Sequence, residues 1–542
     1  MVDAPPATDA AADAPTTDAA MTDAAMADAA MTDAAMADAA MADAAMADAA
    51  MTDAAMTDAA MTDAAMADAA MADAAVTDAA MTDAAMTDAA VVAQANLNSE
   101  LGAVTPDGRF VCFNSRATNL VAADTNNVHD VFVRDTCTGA TGCTPATIRV
   151  SVATDGTQGN AISVRCAISA SGRYVAFESN ASTLVAGDTN ALTDVFVRDT
   201  CIGATSCTPT TTRVSLGLVG AQGNGNTQFA KVSSSGRFVL FASYATNLVP
   251  SDTNNRQDAF VHDTCAGAGS CAPSTVRVSV ASDGSQANNG LNSIPAMSSD
   301  GRHVAFSTNA SNLVPSDTNG MTDVFVRDTC TGGPGGCIAS TVRVSLDGSG
   351  AQVAGSSGLS AVGISDDGRH VVFDAGATTL VAGDTNNAVD IFVRDTCTGA
   401  VTCTPATVRA SVSSAGVQSD GASTNPTISG NGRHVAFESS ASTLVPGDNA
   451  YVDIFVRDTC TAATGGCTPA TTIASLATDS TRSNENSALA TASGGGGRYV
   501  VFQSDASSLV PGDTNGATDI FVRDTCAGAS GCTPATSRVS VP

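Results

Sequence analysis

Cysteine is the first residue type in this 542-residue chain whose spacing dictates chemistry. Fourteen of the sixteen cysteines fall in pairs, Cys137/Cys143, Cys201/Cys207, Cys265/Cys271, Cys330/Cys337, Cys397/Cys403, Cys460/Cys467 and Cys526/Cys532, each bracketing a loop of five or six residues. Two thiols so placed can face each other across a hairpin neck at disulfide distance. Metal binding is the rival, but it would leave seven incomplete two-thiolate sites where zinc wants four ligands. The spacing therefore predicts seven local disulfides. Each closes so short a loop that the chain-entropy gain is only about 2–2.5 kcal/mol, so they fix loop shape more than they hold the molecule together. Disulfides in this number imply an oxidising compartment, extracellular, at the cell surface or periplasmic. Cys112 and Cys166 remain, and free buried thiols or a bridge between neighbouring units are both open.

Aspartate is the second. A segment Asp-Thr-Asn-x-x-x-Asp recurs with Asp124, Asn126 and Asp130; Asp188, Asn190 and Asp194; Asp252, Asn254 and Asp258; Asp317, Asn319 and Asp323; Asp384, Asn386 and Asp390; and Asp513, Asn515 and Asp519. Oxygen ligands at positions one, three and seven of a tight loop suit calcium, which takes six to eight oxygens; two carboxylates and one amide would hold it in the weak range of about 10⁻⁴ to 10⁻³ M. The plainer alternative is that the first Asp and the Asn cap turns while the second Asp opens a strand. One copy, Asp448-Asn449-Ala450-Tyr451-Val452-Asp453, is a residue short, so any metal site should fail there first.

Arg134, Arg198, Arg327, Arg394, Arg457 and Arg523 each precede an Asp, with His262 in the equivalent place of one copy; such repetition reads as scaffold ion pairs. His303, His370 and His434 occupy a position held elsewhere by Phe or Tyr, which reads as packing. Glu178 and Glu438 share one position and read as surface residues. No Ser/His/Asp or Cys/His set and no phosphate-cradling loop stands out, so no catalytic or cofactor-binding residue is assigned.

These residues are carried by an internal repeat. A Gly-Arg pair recurs at Arg109, Arg173, Arg237, Arg302, Arg369, Arg433 and Arg498, spaced 64 to 67 residues apart. Each copy supplies four short segments with period-two alternation, rich in Val and Phe, which are strands, named A to D. In the second copy B is Tyr174 to Glu178, C is Asp194 to Arg198 and D is Arg213 to Leu216. Asp107-Gly108, Asp300-Gly301, Asp367-Gly368 and Asn431-Gly432 between A and B predict type I′ turns. Fourteen of the 17 Phe fall at one position of strand B and one of strand C, the recurring pair that packing between blades requires in a chain without Trp. The expectation is an all-β, seven-bladed β-propeller of four-stranded antiparallel blades over 96–542, with blades near 97–152, 160–216, 224–280, 288–346, 355–412, 420–476 and 484–541. The first copy begins at strand A and the last ends at strand D, so closure should rest on side-chain packing between blades one and seven.

Thr105-Pro106-Asp107-Gly108-Arg109-Phe110-Val111-Cys112-Phe113 and the later Ser-x-Asp-Gly-Arg-x-Val-x-Phe copies resemble the Ser-Pro-Asp-Gly-Lys core of the TolB-type, WD-like propeller repeat. The resemblance implies the propeller fold. It implies little about activity, since similar repeats occur in translocation proteins, peptidase accessory domains and exported proteins. That family often has six blades, whereas seven motif copies stand here.

Residues 1–95 are expected to form a low-complexity spacer, disordered or weakly helical. Fourteen copies of a Met/Val-Thr/Ala-Asp-Ala-Ala pentad run from Met21 to Ala90, and residues 1–90 hold 18 Asp and no Lys, Arg or Glu. A five-residue period turns each Met about 140° from the last, so no apolar stripe forms. A stalk and a replication-slippage expansion are both open. The formal charge of −30 argues against nucleic acid and anionic membrane as partners. No run approaches the ~18 apolar residues of a membrane span; no basic, apolar and cleavage-site pattern of a secretory leader precedes the spacer, which leaves open export by another route or a true start upstream of Met1. The expected function is an exported, non-catalytic binding or structural module, with a protein or polysaccharide partner, calcium as the one cofactor candidate, and a monomeric state. The alternative is a hydrolase or lyase of extracellular polymers with its site at the central channel mouth.

Overall fold

The computed structural model describes residues 93–542 apart from 450, 462, 464 and 465; residues 1–92 of the expected acidic spacer lie outside the described residues. Seven separate four-stranded antiparallel sheets follow one another, each in the order A-B-C-D. In blade one these strands are Ser99–Val104, Phe110–Ser115, Asp130–Asp135 and Ala146–Arg149. The A strands neighbour one another around the centre, and the first also meets the last, so the sheets form a closed seven-bladed β-propeller. Among the described residues no helix is long and apolar enough to cross a membrane.

The alternation of the strands explains the ring. Successive side chains point to opposite sheet faces, so each blade offers two apolar faces to two neighbours. In blade one, Phe113 and Phe132 stack at 5.8 Å. They pack with Val501, Ile520 and Val522 of blade seven. Cys112, Val131 and Val133 on the other face pack with Phe177 and Phe196 of blade two. The equivalent Phe pairs stack at 5.8 to 6.1 Å in every blade.

The A–B turns differ from the type I′ expectation. Gly108 has φ +77° but Asp107 does not reach positive φ. Gly108 N donates to Thr105 O at 2.9 Å, and Thr105 N to Phe110 O at 2.9 Å. This is a type I turn followed by a left-handed Gly, a form that Pro106 favours. The glycine is doubly required: a Cβ there would lie 2.6 Å from the ring of Tyr499 in the preceding blade.

Strand D also departs from its expected bounds, ending at Arg149 or Arg213 rather than continuing to Leu216. Ser215 Oγ takes the hydrogen bond of Val195 N at 3.1 Å, so a side chain replaces the ladder at that point. Blade four keeps only Ala296–Met297 as strand A. Pro295 just before it has no N–H to give a ladder.

Closure involves more than side chains. Gln94-Ala95-Asn96 occupies between blades seven and one the place that Gln158-Gly159-Asn160 holds between blades one and two. Ala95 N donates to Ser540 O at 3.1 Å, as Gly159 N does to Ser151 O at 3.1 Å. Asn515 Nδ2 donates to Ala95 O at 3.0 Å, as Asn126 Nδ2 does to Gly159 O at 2.9 Å. No strand is exchanged, yet backbone hydrogen bonds join the ends.

All seven expected pairs are disulfides: Cys137–Cys143, Cys201–Cys207, Cys265–Cys271, Cys330–Cys337, Cys397–Cys403, Cys460–Cys467 and Cys526–Cys532. The second cysteine of each pair also lies against the blade's ion pair. Arg433 Nη2 lies 3.4 Å from Cys467 Sγ while bonding Asp458, and Arg498 Nη2 lies 3.4 Å from Cys532 Sγ while bonding Asp524. The spacing of Cys467 and Cys532 from their partners predicts the bond but not the guanidinium against it, because that arginine comes from the A–B turn more than thirty residues earlier.

Cys112–Cys166 is an eighth disulfide, joining strand B of blade one to strand A of blade two. Such a set suits a non-reducing environment. The eighth bond closes a separation of 54 residues, against six for Cys265–Cys271. Replacing Cys112 and Cys166 together by Ala should therefore lower unfolding free energy by about 4 kcal/mol, against about 2 kcal/mol for the Cys265/Cys271 pair. Guanidinium unfolding of both variants checks this, and equal losses would remove the loop-length account.

Candidate functional site

Strand A borders the propeller axis, and it is the least repetitive strand of the unit. In five blades it carries a bulge, where two residues face one on strand B. The bulged residue has positive φ: Leu101 at 53°, Arg165 at 53°, Phe229 at 63°, Asn425 at 51° and Leu489 at 53°. Its N–H leaves the ladder and must find another acceptor. Strand B of the preceding blade supplies it in most cases. Phe229 N donates to Glu178 Oε1 and Leu489 N to Glu438 Oε1, both at 2.5 Å. Leu101 N donates to Gln503 Oε1 at 3.1 Å, and Arg165 N to Asn114 Oδ1 at 3.4 Å. Asn425 N instead reaches Ser360 Oγ, which donates to Asp374 Oδ2.

Glu178 and Glu438 are thus buried, 3% and 7% exposed, not surface residues. Sequence alternation puts them on a sheet face but cannot say that the next blade's bulge covers that face.

The A strands enclose a cavity of about 330 Å³ on the axis. Its wall is mostly apolar, with Leu101, Phe229, Val232, Met297 and Leu489 among the lining residues. Two cations interrupt it on neighbouring blades, Arg165 and Lys231, the chain's single lysine. Arg165 lies over the Phe229 ring at 5.2 Å, a cation–π contact that holds its plane. Its Nε lies 4.0 Å from Glu178 Oε2. Asp366 of blade five also lines the cavity, and burial pushes its carboxyl up.

The electrostatics follow from this enclosure. Burial pushes the Glu178 carboxyl up to about 7, opposed first by Arg165, then by the Phe229 and Ala230 amides and Lys231. Lys231 is open to the water of the channel but ringed by its wall; that enclosure, then Arg165, lowers its ammonium, and Glu178 opposes the fall. Burial also pushes Glu438 up.

The Asp-Thr-Asn-x-x-x-Asp loops lie away from the axis, together with the Gln-x-Asn segments. In blade one, Asp130 accepts Ser151 Oγ at 2.5 Å and Asn126 Nδ2 at 3.0 Å. Gln158 Nε2 reaches Asp124 at 2.8 Å and Asp130 at 3.0 Å. Arg149 Nη1 lies 3.6 Å from Asp124 and 3.5 Å from Asp130. The same arginine position pairs with Asp188/Asp194, Asp252/Asp258, Asp317/Asp323, Asp384/Asp390 and Asp513/Asp519. The calcium expectation therefore meets a guanidinium already seated between each pair of carboxylates. In blade six, burial and then Asp453 push the Asp448 carboxyl up to about 6.

The strand C arginines do not form the expected ion pairs. Arg198 Nη1 donates to Ala153 O of the preceding blade at 3.1 Å and to Thr211 Oγ1 at 3.0 Å. The Asp after it pairs instead with the Gly-Arg arginine, as Arg173 does with Asp199 at 2.7 Å. His303, His370 and His434 pack as expected, each under the next blade's glycine turn. Of the departures from the repeat, Arg165, Lys231 and Asp366 line the channel, Glu178 lies buried behind its wall, and no histidine lines it among the described residues. Arg165 and Phe229 escaped notice in the sequence; aligning the seven A strands position by position would have marked both.

No family model and no curated protein matches the chain. Solved structures do. The β-propeller domain of the trilobed protease from Pyrococcus furiosus has 8% identity over 82% of this chain and 97% of that one, with a TM-score of 0.43. TolB from Acinetobacter baumannii has 14% identity over 61% of this chain and 57% of that one, with a TM-score of 0.31. A puromycin-hydrolyzing peptidase of Mycobacterium tuberculosis has 14% identity over 83% and 55%, with a TM-score of 0.43. The chain thus spans little more than half the length of the latter two.

Glu178 gives a pH test. Its folded-state carboxyl is pushed up to about 7, above the ordinary 4.5, so its contribution to stability is full below about pH 4.5 and is lost as pH rises through 7. Glu178→Gln should gain about 2–3 kcal/mol relative to the parent between pH 5 and pH 8. Urea unfolding at the two pH values checks it; a pH-independent difference would show that the carboxyl is not held protonated.

Proposed function

We propose that the protein is an exported, non-catalytic binding module whose axial channel takes a ligand with one anionic group and an apolar body. The observation that carries this reading is the meeting of Arg165 and Lys231 on one wall of an otherwise largely apolar cavity. Enclosed sites with a few convergent polar groups are the usual form of a ligand pocket, and low-dielectric walls strengthen a charge contact inside them. These two cations stand against a chain of formal charge −30, so they mark a local reversal of sign. The anionic group could belong to a small molecule or to the acidic end of a protein or polysaccharide partner. Eight disulfides support export, and the Asp-rich spacer would then serve as a stalk.

The hydrolase or lyase alternative needs groups that can pass protons to and from a bound substrate. Glu178 is a poor candidate, because its side chain is 4% exposed and its carboxylate is committed to the Phe229 amide and Arg165. Lys231 of blade three and Asp366 of blade five are left as the proton-carrying groups, apart from arginine, that line the channel, and no ion pair joins them among the described residues. Binding is therefore the better-supported reading.

Calorimetric titration with octanoate and with octanol tests it. Octanoate should bind more tightly than octanol, and Lys231→Met or Arg165→Met should weaken octanoate about tenfold or more while leaving octanol unchanged. Equal binding of the two probes, or no octanoate binding at millimolar concentration, would sink the channel reading.

A further inference from the structure

Blade six breaks the arrangement that neutralises the paired aspartates elsewhere. In the other six blades an arginine ends strand D and brings Nη1 within 3.0 to 3.7 Å of both carboxylates. In blade six that position, opposite Phe455, is Ile473. In the same six blades the loop asparagine donates Nδ2 to the second aspartate at 2.9 to 3.2 Å. In blade six the loop is one residue shorter, and among the described residues Asn449 Nδ2 reaches only Ser483 O, at 2.9 Å. The glutamine of the Gln-x-Asn segment is replaced by Arg482, whose Nη1 lies 3.1 Å from Asp448 and whose Nη2 donates to Pro446 O.

The consequence falls on Asp453. It is 0% exposed. Its Oδ1 accepts Ser475 Oγ at 2.5 Å and Ser483 Oγ at 2.8 Å, while its Oδ2 has no hydrogen-bond partner among the described residues. A buried carboxylate oxygen without donor or counter-charge is costly, and proteins resolve it by pairing it or by placing a metal there. Asp448 beside it adds a second carboxylate, which Arg482 Nη1 contacts at 3.1 Å.

We propose that Asp448 and Asp453 of blade six form a single divalent-cation site, of the hard, oxygen-seeking class that includes calcium, with Asp453 Oδ2 as the anchoring ligand. The cation takes the place that the strand D guanidinium holds in the other blades. Two carboxylates leave the remaining coordination to water, which puts affinity near about 10⁻⁴ to 10⁻³ M. Arg482 does not fill this place: its side chain is 28% exposed and contacts the Asp448 side alone. The short loop, which on sequence was the first expected to lose a metal, is then the one that keeps it.

Calcium titration of the chelator-treated full chain tests this, by calorimetry and by thermal unfolding. The expected result is one calcium per chain and a melting temperature that rises by a few degrees at about 10 mM calcium. Asp453→Asn should abolish both signals. Since loss of a buried carboxylate can also impair folding, a second variant, Ile473→Arg with Arg482→Gln, rebuilds the arrangement of the other blades; it should melt no lower than the calcium-free parent and lose the calcium response. No heat and no shift in the parent, a stoichiometry near seven, or a calcium response retained in the rebuilt variant would each overturn the site. None of these results depends on whether the axial channel binds octanoate.

Discussion

A buried aspartate at the start of every strand C is the constraint around which each blade is built. Asp130, Asp194, Asp258, Asp323, Asp390, Asp453 and Asp519 are 0 to 1% exposed. Such a group is tolerated only when its neighbours supply donors and charge. In six of the seven blades those neighbours come from three separate places: the loop asparagine, the serine and arginine at the end of strand D, and the segment that leads into the next blade. Satisfying one carboxylate therefore fixes the B–C loop, the turn out of strand D and the direction of the crossover. The same requirement explains ring closure. In blade seven the glutamine is Gln94, which accepts from Arg538 Nη1 at 3.1 Å, so residues before the first strand complete the last blade.

The faces between blades are settled by a different interaction. Phe pairs on one face and Val or Ile on the other give every blade the same two complementary surfaces, so any two neighbours fit. Interchangeable faces stack without a preferred end, and the angle between them decides how many close a ring. The glycine turns tighten this packing, since each lies against the aromatic or histidine ring that begins strand B of the preceding blade. The Cys112–Cys166 bond adds one covalent tie between blades to contacts that are otherwise non-covalent.

Function-bearing candidates sit where the repeat is not obeyed. Around the outside, repeated residues neutralise one another, Arg173 with Asp199 and Arg213 with Asp194, and little is left over for a ligand. Along the axis, Arg165, Phe229 and Lys231 replace residues that are mostly small or aliphatic in other copies, and in blade six the substitutions at Ile473 and Arg482 undo the usual neutralisation. Both departures place charge outside the pairings that the repeat provides, cationic along the axis and anionic in blade six.

Seven copies of an alternating pattern, two fixed Phe per copy and cysteines bracketing five or six residues were sufficient to determine strands, blade number and seven of the eight disulfides, because each depends on spacing within one unit. The eighth bond, the burial of Glu178, the partner of each strand C arginine and the hydrogen bonds of closure were decided only by the tertiary structure. Each of these joins residues of different blades or of distant strands, and the repeat length says nothing about which side chain of one blade faces which backbone group of the next. The guanidinium contacts at Cys467 and Cys532 belong to the same class, since the bond follows from local spacing but the arginine beside it arrives from another turn. The type I turn at Asp107-Gly108 belongs there in part: a Gly signals positive φ once, but whether its neighbour shares it depends on how the strands on either side are held. What the sequence could write was the unit; how units meet, and so where charge is left unmatched, came from their closing on one another.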